Sequence, residues 1–131
     1  MSELTEIRAW VDRAEEDYAV AVSALRRKRP LTVTSCFHAQ QCAEKYMKAI
    51  LLARNQPFPK THDLHLLSTL CSQANVLVEV DIVRLDALSF YAVHARYPGA
   101  EPTEDQAREG LATARAVRRF ARARLGLGTP R

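Results

Sequence analysis

The 131-residue chain is poor in the residues that mark several large protein classes. Its three cysteines, Cys36, Cys42 and Cys71, are odd in number and form no CxxC pair, which excludes a disulfide framework and a zinc ribbon and predicts reduced, packed thiols. Four glycines, 26% charged residues and no low-complexity tract argue against a fibrous or disordered chain. No apolar run approaches the roughly 18 residues of a membrane span, and the N-terminus MSELTEIRAW is acidic and polar where a secretory leader is basic and then apolar, so the expected location is the cytoplasm, away from membranes. A glycine-rich phosphate loop is missing, as is any local signature of a Ser–His or Cys–His nucleophile. Of the four histidines, His62 and His65 lie three apart, but no carboxylate or cysteine joins them at ligand spacing, so neither a metal nor another cofactor is expected.

What is present is charge and helical periodicity. The formal net charge is +4, from 19 basic and 15 acidic side chains. Residues 1–102 are balanced, with 12 of each sign, so the whole excess falls in residues 103–131. Leu4, Ile7, Val11, Ala14, Tyr18, Ala21, Val22 and Leu25 recur at steps of three and four, which predicts a helix over about 3–28, acidic at its start and basic at its end. A second helix is expected from Thr32 to about Asn55, stopped by Pro57 and Pro59. A short third helix opens at His62-Asp63-Leu64, with Thr61 or His62 as its cap and Asp63 in its first turn. A fourth spans about Glu79 to His94, with Val83, Leu85, Leu88, Tyr91 and Ala92 inward. Thr103-Glu104-Asp105-Gln106 reads as a capping box that starts a fifth helix running to about Leu125. The expected architecture is all-α, an up-and-down four-helix bundle with one additional short helix, occupying residues 1–125 and followed by a flexible tail at 126–131.

Two helices carry candidate binding surfaces. On the second, apolar and small residues cover most of the circumference, and Thr34, His38, Gln41, Glu44, Lys45 and Lys48 gather into a wedge roughly 120° wide. A helix this apolar is contacted on several sides, so its polar wedge either meets solvent or lines a cleft. On the fifth, Arg108, Arg115, Arg119 and Arg122 fall within a strip of roughly 60° that could track a phosphate backbone, or simply be a solvated arginine-biased face.

The segment Phe37-His38-Ala39-Gln40-Gln41-Cys42-Ala43-Glu44-Lys45-Tyr46-Met47-Lys48-Ala49, then Thr61-His62-Asp63-Leu64, then Ala95-Arg96-Tyr97-Pro98, in that order on an all-helical chain, resembles the HEPN family over nearly the whole length. The resemblance implies a small helical bundle that forms homodimers, is often encoded beside a minimal nucleotidyltransferase in a toxin–antitoxin-like pair, and binds nucleotides or RNA in a cleft. On that reading Lys45 and Lys48 offer cationic donors to phosphate, Gln41 and Glu44 hydrogen-bond a base or ribose, Arg96 adds a planar fork, Tyr97 stacks on a base, and His62 joins the site. The bland alternative for the exit from the fourth helix has Tyr97 packed on the bundle and Arg96 paired with an acid such as Glu44. Many members are metal-independent ribonucleases with an Arg and a His separated by four to six residues; that spacing is absent here, which favours a non-catalytic module. The alternatives are a ribonuclease toxin with a divergent site drawn from His62, His94 and Arg96, and a structural adaptor whose only ligand is its partner protein.

Overall fold

The computed structural model describes residues 3–94 and 97–128. Five helices account for its regular structure, α1 (Glu3–Arg26), α2 (Thr32–Ala53), α3 (Leu64–Gln73), α4 (Ile82–His94) and α5 (Glu104–Arg124), with no strand among the described residues. The class is all-α as expected, and the order is compatible with a four-helix bundle carrying one short extra helix. The centre is α2, which touches each of the other four helices. Ser35 donates its hydroxyl to the Ala21 carbonyl and Tyr46 faces Glu15, so α1 and α2 run antiparallel.

The reason α2 is central lies in its composition. Cys36, Ala39, Cys42, Ala43, Tyr46, Met47, Ala49 and Leu51 are fully buried, and together they leave little of the helix circumference for water. Small residues on the facing helices let backbones approach: Ala14 and Ala21 on α1, and Ala107, Ala114 and Ala121 on α5, all have no exposed surface. Gly110 is a close approach of the same kind, since a Cβ built there would lie 3.1 Å from Leu88 Cδ1 and 3.9 Å from Cys36 Sγ. The three cysteines are free and buried, and burial pushes the thiol of Cys36 up to about 11 and that of Cys71 up to about 12.

Helix ends show where local chemistry set the boundaries. The capping box of α5 is formed as expected, with Gln106 N donating to Thr103 Oγ1 and Thr103 N donating to Gln106 Oε1. At α3 the cap is Asp63, rather than Thr61 or His62: its carboxylate accepts from the backbone N–H groups of His65 and Leu66. The fourth helix starts three residues later than expected because Asp81 accepts from Val83 N in the same manner, leaving residues 76–80 as an approach segment. Three helices end in the same motif, with Asn55, Asn75 and Gly126 in the left-handed region and the next residue's N–H returning to the carbonyls of Leu51, Cys71 and Arg122. Residues 126–128, placed in a flexible tail by sequence, therefore fold back on α5, and Arg122 Nε donates to the Gly128 carbonyl.

Two apolar residues expected inward point outward. Leu4 is 71% exposed in the first turn of α1, and Val83 is 69% exposed on the first turn of α4, because α4 buries only Leu85, Leu88 and Ala92.

Two substitutions test this packing. Gly110→Val forces branched carbon into the α4–α5 contact and should cost about 1–3 kcal/mol in urea unfolding. Asn75→Ala should cost about 1 kcal/mol through the left-handed residue alone, without change in the helical circular dichroism of the folded protein.

Candidate functional site

In the wedge of α2, Glu44 and Lys48 are buried, and Thr34, His38, Gln41 and Lys45 are half-buried. Glu44 is 3% exposed and its carboxylate receives four donors. Lys48 Nζ lies 3.0 Å from Oε2, one turn along the helix. His62 Nδ1, from the loop before α3, lies 2.8 Å from Oε1, and Gln40 and Gln41 add weaker contacts from their side-chain amides at 3.3 and 3.4 Å. Gln40 Nε2 also donates to the His62 carbonyl at 2.8 Å, and Gln41 Nε2 to Gln40 Oε1 at 2.8 Å. The loop that carries His62 is thus fastened to α2 through its backbone and its ring at once.

Lys48 is enclosed from the other side. Its ammonium sits 5.5 Å from the Trp10 ring centroid and 5.9 Å from that of Phe58, and the two rings meet edge to face at 6.1 Å. The sequence suggested an ammonium free for phosphate; in the structure Lys48 is buried and its charge is answered by Glu44 and the aromatic faces. Lys45 is similarly engaged, pairing with Asp17 Oδ2, while His38 Nδ1 lies 2.7 Å from Asp17 Oδ1. A buried carboxylate on α1 therefore answers two members of the α2 wedge, just as Glu44 answers two others.

A second polar seam joins three helices. Arg118 on α5 makes a bidentate pair with Glu15 on α1, Nε to Oε2 at 2.7 Å and Nη2 to Oε1 at 2.9 Å. The buried Tyr46 of α2 donates its hydroxyl to Glu15 Oε2, and Arg122 Nη1 donates to the Tyr46 oxygen at 3.1 Å. Burial alone raises the Glu15 carboxyl, but the hydrogen bonds from Arg118 and Tyr46 and the charges of Arg118 and Arg122 outweigh it and hold Glu15 below the usual carboxylate value. Tyr46 is shifted the other way, upward, by burial and by its bond to Glu15.

This seam divides the arginine strip of α5. Arg122 Nη1 donates to Tyr46 on the bundle side, whereas the exposed Arg115 donates Nε to the Tyr18 hydroxyl and Arg108 pairs with Glu104 in solvent. Arg119 is exposed beside Phe120 and Arg124 at a surface depression of about 470 Å³. Arg108, Arg115 and Arg119 are exposed, and Arg122 is half-buried.

Of the partners of Glu44, His62 and Gln41 reach solvent. The His62 side chain is 78% exposed although its Nδ1 is held by Glu44, and Gln41 is half-buried. Tyr97 is 64% exposed, so its ring is not packed on the bundle. Arg96, the remaining member of the expected site, lies outside the described residues. His94 stacks on Phe90 with centroids 3.8 Å apart, at the end of α4. Among the described residues no group of three or more histidine, cysteine or acidic side chains has the arrangement to hold a metal ion, and no helix is long and apolar enough to cross a membrane.

Sequence reasoning missed Glu15, Asp17, Trp10, Phe58 and Arg118. One signal was available: Asp17 lies three positions after Ala14 and four before Ala21, on the edge of the buried stripe of α1, where an acid has to find a cation inside. Nothing comparable marked Phe58, whose place depends on how the proline-containing loop returns along α2.

A family model described as HEPN domain matches residues 7–124. No curated protein and no solved structure matches the chain.

Removing one partner of the buried pair is the sharpest test of the cluster. Glu44→Ala leaves Lys48 buried without its counter-charge and should cost about 3–5 kcal/mol in urea unfolding, while Glu44→Leu combined with Lys48→Met should recover most of the loss. The Glu15 carboxyl gives a pH signature. Because its folded-state value is depressed, its contribution is present above the unfolded value of about 4.3 and disappears as pH falls through the lower folded value. Glu15→Gln should therefore lower the urea midpoint at pH 7 and reduce its change between pH 5 and the acid limb.

Proposed function

The chain belongs to the HEPN family, and from that premise we propose that it is a non-catalytic nucleotide- or RNA-binding module, a homodimer working with a minimal nucleotidyltransferase in a toxin–antitoxin-like pair. Membership supports nucleotide or RNA binding in general; the ligand surface proposed for it is the solvent side of the Glu44 cluster.

The observation that carries this reading is the pairing of a buried carboxylate with an exposed imidazole. Glu44 accepts only, so His62 Nδ1 donates in the bond between them, and Nε2 lies on the other side of the ring. An exposed ring held in place through Nδ1 suits hydrogen bonding through Nε2 to a base or a ribose. Gln41 adds an adaptable amide beside it, and the exposed Tyr97 ring offers a face for stacking. Arg96 supplies the phosphate fork in this reading, because Lys45 and Lys48 already answer Asp17 and Glu44. The roles divide accordingly: His62, Gln41, Arg96 and Tyr97 touch ligand, and Glu44, Lys45 and Lys48 position the surface.

A second reading has support of its own. A carboxylate-held histidine facing solvent is also the arrangement of a general base, so the same pair would serve a divergent ribonuclease.

Isothermal titration with ATP and with short RNAs tests the binding reading. His62→Ala and Tyr97→Ala should each weaken binding about tenfold, equivalent to about 1.4 kcal/mol, with the thermal melt unchanged for Tyr97→Ala. A tRNA pool incubated with the protein in EDTA should remain intact; cleavage lost on His62→Ala would establish the ribonuclease reading instead. If neither ligand binds while a co-expressed nucleotidyltransferase co-purifies, the chain is an adaptor.

A further inference from the structure

The C-terminal half of α5 leaves one of its faces open. At 100° per residue Arg119, Ala123, Ala116, Phe120 and Arg124 follow one another across an arc of about 140°, with the two arginines at its edges and the small or apolar residues between them. Arg119, Ala123 and Arg124 are exposed, and Ala116 and Phe120 are half-buried. The depression of about 470 Å³ lies over this face, with Glu79, from the segment that leads into α4, as its other wall. A second depression of about 270 Å³ continues it past Ala123 and Arg124 to the end of α2, where Ile50, Val76 and Leu125 supply apolar lining and Arg54 a cation. Arg54 is held through Nε, which donates to the Ala74 carbonyl at 3.1 Å. The side chains of Arg119 and Arg124 make no ion pair or hydrogen bond among the described residues. Leu77, next to Val76 in the chain, is 72% exposed.

We infer that this groove docks an acidic amphipathic helical segment of a partner protein, with the apolar side of the segment on Ala116, Phe120 and Ala123 and its carboxylates toward Arg54, Arg119 and Arg124. Charge selects the sign of the partner. Three arginines line the two depressions against one acid, Glu79, and two of the three are unanswered within the chain. The lining between them selects an apolar stripe, because alanine, valine, isoleucine and leucine gain by losing water to aliphatic groups. The same lining disfavours a polynucleotide: it has no fully exposed ring on which a base could stack, and Glu79 would stand against a phosphate backbone. Ala116 to Arg124 rises about 12 Å, which is about two turns, so the face matches a helix that anchors at i, i+3 or i+4, and i+7. Arginines at the two edges keep the stripe of such a helix aligned with the groove while acids on both its flanks find a planar fork.

The inference goes beyond the nucleotide-binding reading and does not rest on it, since the groove and the Glu44–His62 surface share no residue. The probe is a fluorescein-labelled helical peptide of about fifteen residues, with leucines on one face and glutamates on both flanks. Its fluorescence anisotropy with the full chain should give a Kd of about 10–100 μM. Arg119→Glu and Arg124→Glu change side chains already in solvent, so each should keep its helical circular dichroism and weaken binding at least about tenfold. The chain carrying both changes should prefer a peptide with lysines in place of the glutamates. Arg27→Glu, in an exposed arginine after α1, should leave the affinity intact, and so should His62→Ala, which separates this surface from the nucleotide site. No binding of the glutamate peptide overturns the inference. Equal binding of a peptide with the same composition but leucines scattered around the helix overturns it as unspecific charge attraction, and so does equal weakening by Arg27→Glu. A single-stranded RNA that displaces the peptide, and is itself lost on Arg119→Glu and Arg124→Glu, assigns the face to nucleic acid instead.

Discussion

A helix touched by every other helix of its fold has to satisfy its polar side chains from within, and the rest of this structure follows from how α2 meets that constraint. Glu44 and Lys48 neutralise each other one turn apart, and the remaining lone pairs of Glu44 draw in Gln40, Gln41 and His62. The path of the loop before α3 is set by the same carboxylate, because the loop backbone is tied to Gln40 and its histidine ring to Glu44. Lys45, on the other flank of the wedge, fixes the rotation of α1 through Asp17. The large buried side chains Tyr46, Met47, Ile50 and Leu51 fill the space around α2, and the paired charges tie it to α1 at named positions.

The second seam does the same for α5. Glu15, Tyr46, Arg118 and Arg122 join α1, α2 and α5 at one level of the bundle, and the planar guanidinium of Arg118 also lies 4.2 Å from the Tyr18 ring centroid. The charge excess concentrated near the C-terminus thereby takes on a structural meaning. Part of it is engaged between helices through Arg118 and Arg122, and Arg108, Arg115 and Arg119 remain exposed.

Helices were legible in this sequence wherever the apolar stripe was long or the cap had side-chain chemistry. Periodicity marked α1, α2 and α5, and the Thr103–Gln106 box located the start of α5 to the residue. Ends were less legible where a short side chain could cap from more than one position, as at Asp63 and Asp81. The candidate site was half legible. Its α2 members and His62 were named from the sequence, because motif residues and helical spacing place them together. Their chemistry was not, because the one acid that answers both Lys45 and His38, Asp17, comes from α1, more than twenty positions away, and spacing carries no information about which side chains meet across helices. Val83 misled for a related reason: an apolar stripe announces burial without saying which of its members meet a neighbouring helix.

The three cysteines lie on α2 and α3 at the middle of the core, with thiolate formation opposed by burial at each. A thiol reagent in solvent meets none of them in the closed protein and meets them only when the bundle parts. The chain therefore carries an internal clock for its own opening. The alkylation rate of Cys71, beneath the short α3, reports local lifting of that helix, and that of Cys42, in the centre of α2, reports loss of the whole fold.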